Sequence, residues 1–225
     1  MKIEIDSSER MVAVGKTGSG KTFLMKYLTR GLKRLVVLDP KSTIDPAEWH
    51  LDWVDTGGLR DLTKGKDARL LVRAYEPADW NNYLQIAWDA TNTVVYIDEL
   101  YALVEFGRIA PPRILSQLYT QGRERKVGVW GSTQRPAWVP LFTLSECDWF
   151  FAFRTQLQDD RKRLAELMGE EVLTPIPTED PHGFWMYNVY WNNPIYVDQL
   201  MVNVRGKKEP EAVTNQEYEK VESHA

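Results

Sequence analysis

Cysteine is almost absent: Cys147 stands alone in 225 residues. A single thiol excludes an internal disulfide and a cysteine-built zinc site. Histidine is nearly as scarce, and His50, His182 and His224 share no metal-ligand spacing. No apolar run approaches the roughly 20 residues that a bilayer-spanning helix needs. Met1-Lys2-Ile3-Glu4 begins no secretory signal. Excess positive charge is missing too, since 28 Lys and Arg against 32 Asp and Glu leave a net charge of −4. That excludes a strongly basic nucleic-acid coat but leaves room for a local basic patch. Half of the deficit sits in residues 206–225, where Lys207, Lys208 and Lys220 face Glu209, Glu211, Glu217, Glu219 and Glu222. What is present is ordinary for a compact globular chain, 43% hydrophobic and 27% charged. Such a chain buries roughly 70–75% of its unfolded surface. The expected setting is the cytoplasm.

Strand and helix signals alternate along the chain. Met11 to Val14 is a short apolar run that ends at a glycine, the mark of a buried strand. A helical pattern follows from Gly20 to about Arg30, with Leu24, Leu28 and Leu32 four residues apart. Leu35 to Leu38 and Thr93 to Ile97 are further buried strands, and Arg69 to Tyr75 is a weaker one. Pro77 opens a helix with Trp80, Leu84, Ala87 and Trp88 on one face. Pro111-Pro112 starts another, with the stripe Ile114, Leu115, Leu118 and Tyr119. Val127 to Ser132 and Asp148 to Arg154 complete the strands, and Asp159-Asp160 is placed to cap a helix ending at Gly169. Phe184 to Trp191 and Pro194 to Val197 form a hairpin around Asn192-Asn193. The alternation predicts an α/β fold with a mostly parallel central sheet flanked by helices, plus a small C-terminal β-hairpin appendage. The expected organisation is one domain over residues 1–205, with a core at about 10–170, an appendage at about 171–205 and a loose charged tail at 206–225.

The chemistry concentrates at strand ends. Gly15-Lys16-Thr17-Gly18-Ser19-Gly20-Lys21-Thr22 is a complete G-x-x-x-x-G-K-[ST] loop between a predicted strand and a predicted helix, the context that a phosphate loop requires. Its glycines let backbone N–H groups converge on phosphate oxygens at a helix N-terminus. Lys21 is suited to reach the β- and γ-phosphates of ATP, and the Thr22 hydroxyl to bind Mg²⁺. A chance match occurs in about one chain in a hundred of this length. Val94 to Ile97 then runs into Asp98-Glu99. A carboxylate at a strand's C-terminal end suits a Mg²⁺ ligand, Asp98, and its neighbour Glu99 suits a general base acting on water. A third strand ends in Ser132-Thr133-Gln134-Arg135-Pro136, where Gln134 can bond the attacking water or the γ-phosphate. Before it, Gly122-Arg123-Glu124-Arg125-Lys126 is a basic cluster fit either for an arginine finger or for a solvated helix end.

Together these segments resemble the FtsK–HerA superfamily of P-loop motor ATPases, over about residues 10–170. The discriminating stretch runs from Gly122-Arg123 to Thr133-Gln134-Arg135-Pro136, and Asp39-Pro40-Lys41 matches the segment after that family's second strand. The resemblance implies a RecA-like P-loop fold and an ATPase that translocates double-stranded DNA. It makes Arg123, better than Arg125, the finger that enters a neighbour's site, and Gln134 the sensor. It further implies a homo-oligomeric ring, expected to be a hexamer, with DNA held at its centre by sequence-independent phosphate contacts. Arg108 and Arg113, just past the acids, are the candidate DNA contacts. Cellular members carry membrane segments or extra domains that a chain of this size has no room for. It is in this respect similar to the genome-packaging ATPases of tailless, membrane-containing double-stranded DNA viruses. That likeness implies a docking partner among portal, capsid or membrane proteins at the packaging vertex, with the protein in the host cytoplasm or at the virion vertex.

Other readings are separable. A regulatory or adaptor ATPase would act on a protein partner. A small-molecule kinase would need an acceptor pocket and has no use for Glu99 or Gln134. Nine tryptophans invite base stacking, but Trp80 and Trp88 fall on a helix's apolar stripe and Trp149 lies in an apolar strand. Arg161-Lys162-Arg163 reads as a solvated helix face, and Cys147 as a small buried hydrophobe.

Overall fold

The computed structural model describes residues 4–54, 56–73, 77–103 and 113–198. Arg108 and the charged tail lie outside the described residues. Among those residues the elements run β1 (Met11–Val14), α1 (Lys21–Leu28), β2 (Arg34–Leu38), α2 (Pro46–Trp49), β3 (Asp52–Trp53), α3 (Thr56–Leu59), β4 (Ala68–Val72), α4 (Pro77–Ala90) and β5 (Thr93–Asp98). They continue with α5 (Arg113–Gln121), β6 (Val127–Thr133), α6 (Leu141–Ser145), β7 (Trp149–Phe153), α7 (Gln158–Met168), β8 (Phe184–Asn188) and β9 (Ile195–Val197), with short 3₁₀ turns between.

All described strands share one sheet in the order β3-β4-β2-β5-β6-β1-β7-β8-β9. Pairing is parallel from β3 to β7 and antiparallel from β7 to β9. Parallel strands covered by helices on both faces cannot alternate apolar with polar, which is why β1, β2 and β5 are continuous apolar runs. Their side chains divide between two cores. Val12, Val14, Val36, Leu38, Val95 and Ile97 face Trp80 and Leu84 of α4, Ile114 and Leu118 of α5, and Leu164 of α7. Met11, Ala13, Leu35, Val37, Val94 and Tyr96 face Leu24 and Met25 of α1 and Trp49 of α2. The hairpin β8–β9 continues the sheet beyond β7, with Phe151 opposite Met186 and Trp185 opposite Tyr196.

Two readings need correction. Asp159-Asp160 does not cap α7, which starts at Gln158 behind Leu157 and has no side-chain cap. Asp160 is buried instead, and accepts from Arg135 Nε at 3.0 Å and Ala137 N at 3.2 Å. The weaker strand is also shorter than its apolar pattern, since β4 ends at Val72. Tryptophan packing follows the stripe reading. Trp80 and Trp149 are buried, while Trp88 is half-buried beneath the Arg125 guanidinium, 4.7 Å from its ring centroid. No described helix is long and apolar enough to cross a membrane.

Candidate functional site

Parallel strands deliver their C-terminal ends to one sheet edge, and β6 stands between β1 and β5. Val14 lies opposite Thr133, and Asp98 opposite Ser132. The phosphate loop after β1, the acids after β5 and the polar turn after β6 are therefore neighbours by register alone.

The loop is tied down at both sides: Gly15 N donates to Thr133 O at 3.1 Å and Lys16 N to Arg154 O at 3.0 Å. Gly20 stands at φ +109°, a conformation that demands glycine, and a Cβ there would crowd the Phe153 ring at 3.2 Å. It leads into α1 without a side-chain cap, and the first turn of that helix carries no acidic residue. Its leading N–H groups and positive dipole end are thus kept for an anion. Lys16, Thr17 and Gly18 are exposed on the loop and Thr22 on the first turn of α1, while Ser19 is buried. Lys21 is buried, with Nζ donating to Gly15 O at 2.6 Å and Lys16 O at 3.1 Å. Burial lowers its pKa first, Glu99 and Asp98 act to raise it, and Lys41 lowers it.

Asp98 is buried and oriented. Tyr96 OH and Ser132 Oγ each donate to its Oδ1 at 2.8 Å, and Thr43 Oγ1 reaches Oδ2 at 3.4 Å. Burial, seconded by the charge of Asp98, pushes the Tyr96 phenol well above its ordinary pKa, which keeps it a neutral donor. Glu99 is only 2% exposed and sits at φ +87°. Its Oε1 accepts from Thr133 Oγ1 at 2.8 Å and Gln134 N at 3.0 Å, and its Oε2 from Lys41 Nζ at 2.6 Å. The Gln134 side chain closes the circuit by accepting from Thr17 Oγ1 of the loop at 3.1 Å. Arg135 pairs with Asp160 at 3.0 Å and lies 4.0 Å over the Trp138 ring, which pins the turn against α7.

Among the predicted site residues, the structure brings the loop, Asp98, Glu99 and Gln134 together and places Arg123 elsewhere. Arg123 sits in the turn before β6, exposed, with Glu9 and Asp148 each at 3.8 Å. That turn is at the opposite end of the strand from Gln134, roughly 20 Å away along seven residues. Arg125 in the same turn is committed to α4, its Nε donating to Trp88 O at 3.1 Å. Arg113 is exposed at the start of α5.

Sequence reasoning missed Tyr96, Ser132, Thr43 and Lys41 as site residues. Tyr96 had a signal, being two positions before Asp98 on a strand and so on the same face. Ser132 becomes visible only with the register, and Lys41 lies 58 residues from Glu99.

No family model matches the chain. It is 31% identical, over 206 residues, to the DNA packaging ATPase P9 of Enterobacteria phage PRD1, across 82% of this chain and 84% of that one. The genome packaging NTPase B204 of Sulfolobus turreted icosahedral virus 2, solved with AMP, superposes with a TM-score of 0.70 at 18% identity, over 85% of this chain and 98% of that one. B204 solved with ATP-gammaS gives 0.70 at 17% identity, over 85% and 98%. VirB4 of Thermoanaerobacter pseudethanolicus gives 0.61 at 12% identity, over 84% and 88%. The fold is that of P-loop packaging ATPases.

Proposed function

The chain belongs to the family of viral DNA-packaging ATPases that includes P9 of phage PRD1, and on that premise we propose that it hydrolyses ATP to drive double-stranded DNA through a ring of its own copies. One observation carries the reading. Glu99 is bonded to Thr133 and Gln134, and Gln134 to Thr17 of the phosphate loop, so the acid, the sensor and the loop form one bonded unit. Loss or arrival of a terminal phosphate at the loop is then felt directly by the residue that acts on water.

In this reading the loop from Gly15 to Thr22 binds the phosphates, and Lys21 turns from the loop carbonyls to the β- and γ-oxygens. Asp98 and Thr22 fit Mg²⁺, because both offer hard oxygens and, among the described residues, Asp98 Oδ2 has only the long Thr43 contact at 3.4 Å. Bound there, Mg²⁺ supplies neutralisation of the charge on the phosphates. Glu99 takes a proton from water as the water attacks the γ-phosphate, and Gln134 orients that water. Arg123 faces away from its own loop, which suits a finger inserted into a neighbouring copy's site. Arg113 contacts DNA phosphates, together with Arg108. Packaging places the ring at the virion vertex, docked on a portal, capsid or membrane protein, during assembly in the host cytoplasm; a hexamer is the proposed ring size.

The test is ATP hydrolysis by the purified full chain with and without double-stranded DNA, alongside its mass in solution with ATP. Stimulation by DNA and assembly are expected, with both Lys21→Ala and Glu99→Gln inactive. Equal rates with and without DNA from a protein that stays monomeric would sink the motor reading.

A further inference from the structure

The motif residues leave Lys41 without a role, yet its ammonium is the group that occupies Glu99 Oε2, at 2.6 Å. Of the roughly four lone-pair directions of a carboxylate, Oε1 spends two on Thr133 and Gln134. Oε2 is what remains to receive a proton from water, and Lys41 holds it. The backbone around Lys41 is fixed. Asp39, fully buried, accepts from Thr43 N at 3.1 Å and Ile44 N at 2.9 Å and so closes the turn that carries Lys41. The moving part is the flexible stem, whose end lies 5.6 Å over the Tyr101 ring. The Lys41 side chain is 32% exposed against 3% for Glu99, so its ammonium has an outlet that the carboxylate lacks. Lys41 is also close enough to the phosphate loop for its charge to bear on Lys21.

We propose that Lys41 is a second triphosphate-binding lysine, which exchanges Glu99 for the γ-phosphate when ATP arrives and so frees Glu99 Oε2 to act on water. The inference rests on the ATPase reading above. A terminal phosphate carries more charge than one carboxylate and outcompetes it for an ammonium. ADP has no such group, so Lys41 stays on Glu99 and the base stays engaged. Glu99 is thereby released only where there is a phosphate to attack.

The test compares binding of ADP and of the non-hydrolysable analogue AMPPCP to the full chain, by displacement of a fluorescent nucleotide. Lys41→Met is expected to weaken AMPPCP binding about tenfold or more, with ADP changed less than about twofold. Lys41→Arg, which keeps the charge, retains most of the preference. Glu99→Gln removes the rival anion, so it tightens AMPPCP more than ADP in an otherwise unchanged chain. That gain disappears in the Lys41→Met background. The proposal is overturned if Lys41→Met weakens both nucleotides alike or neither, or if the Glu99→Gln gain persists without Lys41. Glu99→Gln alone needs no change at Lys41, and if it fails to tighten AMPPCP more than ADP the proposal is overturned even where the Lys41 variants fold poorly. Failure of the unmodified chain to bind either nucleotide would overturn the ATPase reading itself.

Discussion

Glutamate rarely adopts a backbone φ of +87°, and Glu99 is kept there by its N–H donating to Ser132 O at 3.1 Å as well as by its side-chain bonds. Such strain, of order 1–3 kcal/mol, aims the carboxylate across the sheet edge at Thr133 rather than along its own strand. Glu99→Gln should therefore keep the shape but lose the proton acceptor. Phosphate release is expected to fall at least about a hundredfold, with nucleotide binding not weakened when measured directly. A different residue reports on the interior. Burial pushes the Cys147 thiol well above its usual range. It should stay unlabelled by a thiol reagent at neutral pH until the protein unfolds, so labelling kinetics read global opening. The sign of the pH effect follows: the folded chain retains the proton that the unfolded chain loses above about 9.0, so stability from this group declines as pH rises past that value. Rapid labelling of native protein at pH 7 would contradict the burial.

Elements built on continuous apolar runs were legible because two cores demand them. The segment 41–68 was not, because β3 is two exposed residues and α2 and α3 are single turns, too short for either period to emerge. Asp160 misled for a related reason, since a buried tertiary partner, Arg135, outweighed the local capping preference. Within β6 the backbone packing is close enough to predict from. A Cβ on Gly128 would stand 1.9 Å from Ser7 O, a backbone atom that cannot swing aside. Gly128→Ala should cost about 3 kcal/mol or more in denaturant unfolding, by displacing the segment before β1. That segment also carries Arg10, whose Nε and Nη2 each donate to Asp148 at 3.0 Å while Nη1 donates to Tyr119 O at 2.7 Å. Burial opposes the Arg10 charge, but Asp148 more than offsets it and the net pKa is raised. Arg10→Ala removes both guanidinium bonds of the buried Asp148 and leaves it the Arg10 backbone N–H at 2.9 Å and the long Arg123 contact at 3.8 Å, so a loss of about 3 kcal/mol is expected in the same measurement.

At the scale of the whole molecule the parallel strands present two ends. One collects the phosphate loop, Asp98, Glu99 and Gln134, and the other carries Arg123. The sequence named these residues because each follows or precedes a recognisable strand. It could not show that Arg123 lies a full strand away from its own loop, because that depends on β1 and β6 running the same way. The separation makes a shared site the geometric expectation. Mixing Arg123→Ala with Lys21→Ala chains should restore part of the ATPase activity that each lacks alone, with a maximum at intermediate ratios. A flat, inactive profile from variants that co-assemble by mass would mean that each chain completes its own site.

The strands at the two ends of the order are both short: β3 has two residues and β9 three. A long bare strand at a rim invites a second copy to add its own strand and weld two molecules into one sheet. With so little ladder on offer, any copies of this chain that meet are left to hold one another through side chains rather than through a joined sheet. Contacts of that kind can loosen and reform as ligands come and go, so neighbours are free to tilt against one another in a way that a common sheet would forbid.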